Sequence, residues 1–355
     1  MFNRTLFKKR ILFVGIPDMA YIGLDGLLMS GVNIVGVLGP KKDHNMYYDF
    51  KTFVQSRRLN YIDYDELDEP QLIEAVRALN VDAAVVCSFN YKIPRILLES
   101  TKDGFINVHP SMLPKYRGGN PYSRVLINGE TETGVTIHFM DESFDTGDII
   151  AQKPYHIHSK ATMGTIFNEL NVLGIELLLQ VLRAYENQPL PRIKQPVGDF
   201  VSGKGLSEKE LFINYNRTAE EIERFVRALN PFILASTTFR GNMMKIMKVE
   251  VASDAFCVPH PAGTVAKIED ESLIYKIEDL KDGTVLYNGD VIEVPQTSFI
   301  EKKGFMIRYG NGSRNITEKT THKEPDGKIR YRYVLPILNI EGKFYNTFLV
   351  NWGKE

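Results

Sequence analysis

Short apolar runs rich in β-branched residues alternate with helix-like stretches through about the first 200 residues of this chain, and that alternation constrains its fold most tightly. RILFVGI reads as a strand, IGLDGLLMSG as a helix, NIVGVLG as a second strand and DFKTFVQSRR as a second helix. PQLIEAVRALN follows as an amphipathic helix, DAAVVCSF as a buried strand, PRILLEST as a short helix with Pro at its start, and GFINVH as the next strand. Strand-helix-strand order demands crossovers, so the strands lie mainly parallel with helices on both faces. The expected fold class is α/β, a Rossmann-like doubly wound and mainly parallel sheet. The loop after the first strand, GIPDMAYIG, lacks the GxGxxG spacing and gives a bound dinucleotide no support. The crevice at the carboxyl ends of the strands remains a binding place.

At 355 residues the chain exceeds the usual size of one domain, which points to two, each long enough for its own core. MGTIFNELNVLGIELLLQVLRAYE is the strongest helical pattern and closes the first domain. QPLPRIKQPVGDFVSGKG then gathers three prolines and three glycines with Lys194, Lys204 and Arg192, a composition suited to an exposed linker. The expected domains are residues 1–195 and 207–355, joined by 196–206. After a helical TAEEIERFVRALN, the short runs STTFRG, MKIMKVEV, GTVAKI, GTVLYNG and GFMIRYG are separated by turn residues. They predict a smaller β-rich, barrel-like C-terminal domain, with the organisation of 296–355 left open.

Hydrophobic residues make up 43% of the chain and the formal net charge is −1, which gives no global attraction to nucleic acid or to a membrane. No long uninterrupted apolar run is present, and MFNRTLFKKRILFVGI passes from a basic start directly into a strand without a small-residue cleavage site. The expected location is the cytoplasm. Cys87 and Cys257 are the only cysteines, too few for a disulfide framework or a CxxC site. Cys87 lies in a buried-strand pattern and reads as a packed thiol. His156 and His158 in YHIHS are expected to share a strand face, and without a third ligand they read as a solvent-facing pair, so no metal is expected.

The chemistry concentrates between Phe105 and Ile149. Alternation along GFINVH puts Asn107 and His109 on one face, about 7 Å apart. Pro110 ends the strand and leaves the imidazole at the carboxyl edge of the sheet. TGVTIHFM is a second strand, and the turn residues Asp145, Thr146 and Gly147 after it allow Asp145 to return to His109. An amide donor, an imidazole and a carboxylate suit acyl transfer to an amine: Asn107 and His109 donate to the oxyanion, while Asp145 orients the imidazole and accepts the proton. Taken singly, each has a plainer reading, as a turn cap, a satisfied interior histidine and a turn Asp.

NVHPSMLPKYRGGNP, NGETETGVTIH and DTGDI together resemble the formyltransferases that use 10-formyltetrahydrofolate, with similarity from Arg10 to about Val251. The resemblance implies catalytic roles for Asn107, His109 and Asp145, and no metal. It implies a donor pocket at Ser88, Phe89, Asn90, Tyr91 and Lys92, with Arg117 and Gly118 on a loop that covers folate or touches the acceptor. It also implies a primary amine as the acceptor. GPKKDHNMYYDF, after the second strand, lacks the long basic insertion typical of the tRNA enzymes, which favours a nucleotide-linked amino sugar held by Asn120, Tyr122 and Arg124. Methionyl-tRNA formyltransferase and formyltetrahydrofolate hydrolase are the alternatives. A non-catalytic binding protein ranks below both, and a homodimer stays open.

From about Pro295 the chain leaves the family's usual ending. Between Glu301 and Glu355 eleven Lys/Arg stand against six Asp/Glu, an excess suited to a polyanionic ligand or simply to a solvated face. KIRYRY mixes basic and aromatic residues, yet its strict alternation is that of an amphipathic strand.

Overall fold

The computed structural model describes residues 7–16, 19–40, 45–89, 91–239 and 242–251, together with the strand backbones at 284–287, 290–293, 318–323, 329–340 and 343–349. The expected runs GTVAKI and GFMIRYG, and Cys257, lie outside these residues. The chain divides into two compact units: Met1–Tyr122, Thr131–Ile157 and Phe167–Gly205 form one, and Ser123–Glu130, His158–Ile166 and Leu206–Glu355 the other.

The first unit is built on β1 (Ile11–Gly15), α1 (Met19–Met29), β2 (Ile34–Pro40), α2 (Asn45–Ser56), β3 (Tyr61–Tyr64), α3 (Pro70–Ala78), β4 (Ala83–Cys87), α4 (Arg95–Leu98) and β5 (Phe105–His109). β6 (Glu132–Phe139), β7 (Ile149–His156) and most of α6 (Met163–Tyr185) complete it, while most of α5 (Pro121–Ile127), which precedes β6 in sequence, falls in the second unit. One sheet orders the strands β3-β2-β1-β4-β5-β6-β7. β1 to β5 are parallel, and β6 and β7 are antiparallel additions on one edge. The expected mainly parallel α/β fold is thus the one observed.

Every residue of β1 and β4 is buried, which explains their unbroken apolar runs: a central parallel strand has no polar face to alternate with. Leu12, Val14, Leu38 and Val86 join Leu72, Ile73 and Val76 from the inner face of α3 in one core cluster. Cys87 closes β4 fully buried, and burial pushes its thiol pKa far up, as expected of a packed residue. α6 has the length and apolarity of a membrane span, but Leu170, Ile175, Leu178 and Leu182 are buried as a core helix requires.

Two elements within the first 160 residues escaped the sequence reading. β3 has only four residues, YIDY, and α5 only seven, both too short to establish a period. One expectation is corrected. β7 ends at His156, so His158 follows the strand instead of sharing its face, and both imidazoles are exposed.

In the second unit α7 (Ala219–Leu229) starts at a capping box, with Thr218 Oγ1 accepting from Glu221 N at 3.2 Å and Glu221 Oε2 from Thr218 N at 3.0 Å. Val226 and Leu229 pack with Ala235 at the start of β8 (Ala235–Phe239), which pairs with β9 (Asn242–Ile246). β10 (Thr284–Tyr287) pairs with β11 (Asp290–Glu293). β12 (Glu318–Lys323), β13 (Ile329–Ile340) and β14 (Lys343–Leu349) form a third antiparallel sheet, in which the KIRYRY segment enters β13. The described part of this unit is β-rich, as its turn-punctuated sequence requires.

Candidate active site

β5 is parallel to β4, with Val86 beside Asn107, and antiparallel to β6, with Asn107 opposite His138 and His109 opposite Thr136. Alternation places Asn107 and His109 on one face, and direct cross-strand pairing adds His138 to it. His109 and His138 are almost fully buried, and their rings meet edge-on with centroids 6.2 Å apart.

Asp145 reaches this face from the loop between β6 and β7. Its backbone is left-handed, φ 57°, a costly conformation for a non-glycine residue. Two residues on, Gly147 has no alternative, because a Cβ there would collide with the Phe139 carbonyl at the end of β6. Asp145 Oδ2 accepts from Gly118 N at 2.8 Å and stands 3.5 Å from His109 Nδ1. Its Oδ1 accepts from Asn107 Nδ2 at 3.4 Å and stands 3.4 Å from His138 Nε2. One carboxylate therefore faces two imidazoles, an amide and a backbone N–H.

Hydrogen-bond partners constrain the proton positions. His138 Nδ1 lies 2.7 Å from the Phe139 carbonyl, which can only accept, so Nδ1 carries a proton; in a neutral ring Nε2 then offers its lone pair to Asn107 Nδ2 at 3.2 Å. Both amide hydrogens of Asn107 are thereby directed, one to His138 and one to Asp145. His109 Nε2 lies 3.0 Å from the Tyr116 carbonyl and carries its proton there, which leaves Nδ1 of the neutral ring unprotonated beside Asp145. A proton taken up at that nitrogen would meet a carboxylate.

Burial lowers the His109 pKa below its ordinary value, and the approach of His138 adds to that; Asp145 and the Tyr116 carbonyl oppose it without prevailing. For Asp145 the balance reverses. Burial pushes its carboxyl up, but His109, His138 and the Gly118 N–H together hold it well below the usual carboxylate range. At neutral pH the cluster is an ionised carboxylate flanked by an unprotonated His109, which is a poised proton acceptor.

Residues 30–182 match the model of the formyl transferase family, and residues 206–282 match that of the formyl transferase C-terminal domain. A methionyl-tRNA formyltransferase from Azobacteroides pseudotrichonymphae is 31% identical over 323 residues, 85% of this chain and 98% of that protein. The chain belongs to the formyl transferase family. The methionyl-tRNA formyltransferase of Symbiobacterium thermophilum is 32% identical over 336 residues, 90% of this chain and 89% of that one. A sugar N-formyltransferase structure from a Shewanella species covers 69% of this chain and 99% of its own at a TM-score of 0.55; at 19% identity it shows the shared fold alone.

Around the cluster of this formyltransferase, Ser88 follows β4 in a left-handed conformation, φ 59°, and its carbonyl accepts from Ile16 N at 3.0 Å. Phe89 packs on the core and its ring meets Tyr91 at 5.5 Å, while Lys92 lies 5.4 Å over the ring of Phe144, the residue before Asp145. Tyr91 and Phe144 are exposed, so each of these two aromatic contacts is open to solvent. Asn90 lies outside the described residues. Arg117 Nε and Nη2 donate to Gln195 Oε1 at 3.2 and 2.6 Å. Gly118, at φ 116°, supplies the N–H that binds Asp145.

Of the residues expected to hold an acceptor, Asn120 is buried and its backbone N donates to the Gly203 carbonyl at 2.7 Å. Tyr122 donates its hydroxyl to Asn171 Oδ1 at 2.9 Å, with its ring 5.1 Å from Phe167 on α6. Arg124 belongs to the second unit, where it pairs with Glu210 at 3.0 Å. Sequence reasoning passed over His138 and Gln195. The signal for His138 was the pairing of two recognised strands, since antiparallel registration of β5 with β6 places it across from Asn107.

Proposed function

We propose that this enzyme moves the formyl group of 10-formyltetrahydrofolate to a neutral primary amine, with Asn107, His109 and Asp145 as its catalytic residues. The supporting observation is the largely buried Asp145 carboxylate within 3.5 Å of His109 Nδ1 and 3.4 Å of Asn107 Nδ2. The amine nitrogen attacks the formyl carbon, a new C–N bond forms, and the carbonyl π pair moves onto oxygen. Asn107 turns its looser 3.4 Å hydrogen from Asp145 to that oxyanion. His109 Nδ1 takes the proton from the attacking nitrogen, and Asp145 stabilises the imidazolium. Collapse of the intermediate breaks the bond to N10, which takes up the proton from the His109 imidazolium and leaves as tetrahydrofolate. The paired rings of Phe89 and Tyr91, and Phe144 with Lys92 over its ring, suit the flat rings and anionic tail of the folate, beside Ser88, Arg117 and Gly118.

Two acceptors divide the support. Relatives about one-third identical along nearly their whole lengths carry the name methionyl-tRNA formyltransferase, which supports the α-amine of methionyl-tRNA. The short passage from Pro40, which ends β2, to Asn45, which starts α2, leaves no room for a long basic insertion and supports a nucleotide-linked amino sugar. Tetrahydrofolate release from 10-formyltetrahydrofolate, measured with methionyl-tRNA and with a panel of nucleotide-linked amino sugars, decides between them. Release at the same rate with every acceptor or none, accompanied by formate, would instead make the enzyme a hydrolase.

A further inference from the structure

Gln195 lies in the Pro/Gly-rich stretch that composition marks as a linker, yet its side-chain amide is fully committed. Nε2 donates to the Asp145 carbonyl at 2.9 Å and the Gly147 carbonyl at 2.7 Å, while Oε1 accepts both bonds from Arg117. Guanidinium donors on one side and carbonyl acceptors on the other fix the orientation of the amide. The backbone around it is pinned as well. Ile193 exchanges two hydrogen bonds with Ile149, and beyond Gln195 the Val201 carbonyl accepts from Tyr116 N at 2.6 Å. Gly203 N donates to the Arg117 carbonyl at 2.7 Å. One amide thus joins the loop of Arg117 and Gly118 to the loop of Asp145 and Gly147. Both loops end on the same carboxylate, since Gly118 N binds Asp145 Oδ2.

We propose that Gln195 is a positioning residue for formyl transfer, whose two N–H bonds hold the left-handed backbone of Asp145 so that its carboxylate faces His109. The inference rests on the catalytic reading of Asp145 given above. A left-handed aspartate is a conformation that its surroundings must hold, and these two bonds supply that constraint, one at the Asp145 carbonyl and one two residues on at Gly147.

The test compares Gln195→Glu, which keeps an acceptor for Arg117 but loses both N–H donors, with Gln195→Ala and Asp145→Asn. Steady-state formyl transfer is measured alongside NMR titration of the His109 ring. Asp145, His138 and the Tyr116 carbonyl are the groups facing that ring. Both Gln195 variants are expected to lose about 10- to 100-fold in kcat with little change in the KM for the folate donor. His109 is expected to titrate at lower pH in both, because the carboxylate that raises its pKa has turned away. If Gln195→Glu keeps wild-type kcat and an unmoved His109 titration while Asp145→Asn is inactive, the positioning role fails alone. Normal turnover by Asp145→Asn would overturn the catalytic reading itself.

Discussion

His138 and Asn107 face each other across the β5–β6 pair, with imidazole Nε2 3.2 Å from amide Nδ2. The contact determines which way the amide points, because a neutral His138 whose Nδ1 is taken by the Phe139 carbonyl can only accept there. His138→Phe keeps the ring volume and deletes the acceptor. The expected result is a loss of roughly 10- to 100-fold in kcat with donor binding retained, and about 1 kcal/mol of stability from the half-buried amide hydrogen left unpaired. Parallel kinetics and thermal unfolding check both.

Asn107→Ala and His109→Ala remove the proposed oxyanion donor and proton acceptor. Loss of one preorganised donor costs roughly 100- to 1,000-fold in kcat, and each variant is expected to bind folate normally by calorimetry. Substantial formyl transfer by both would sink the assigned mechanism.

Acid should destabilise the first unit in two stages. His109 is held below its ordinary 6.5 by burial, so the unfolded chain binds that proton first and stability begins to fall as pH drops through about 6.5. Asp145 is depressed below 3.8, so its contribution is complete above that value and disappears as pH falls further. Thermal unfolding midpoints from about pH 8 down to about pH 2 should show the His109 stage and, below 3.8, the onset of the Asp145 stage. His109→Phe should flatten the upper stage and Asp145→Asn the lower.

Gly147→Ala places a methyl group against the Phe139 carbonyl, where only backbone movement can relieve it. About 1–3 kcal/mol of destabilisation is expected in urea unfolding, with activity falling more than stability because Asp145 moves with the loop.

The exposed Phe144, next in sequence to Asp145, predicts a different signature. Phe144→Ala should raise the KM for the folate donor by roughly three- to tenfold, the value of one aromatic contact, and leave kcat largely intact. A kcat effect without a KM effect would remove Phe144 from the donor site.

The strands that build the sheet were legible because apolar runs and turn residues punctuate them clearly, and Asn107 and His109 followed from alternation along a strand ended by Pro110. His138 was harder to see. All but the first residue of β6 is buried, so the strand has no polar face to reveal which way a side chain points, and only registration against β5 supplies that. Gln195 was hidden for another reason: Pro/Gly-rich composition describes how freely a segment behaves in isolation, whereas its hydrogen bonds to Arg117, Asp145 and Gly147 arise from residues 48 to 78 positions away. β3 and α5 were lost to their brevity.

Ser88, Tyr116 and Asp145, on three separate loops, all hold left-handed backbones. Transplanting Asn107, His109 and Asp145 onto another parallel sheet would carry the functional groups but leave behind the chain contortions that aim them. A designer borrowing this chemistry would have to graft whole loops, and a library that varies only side chains would search where most of the specification does not reside.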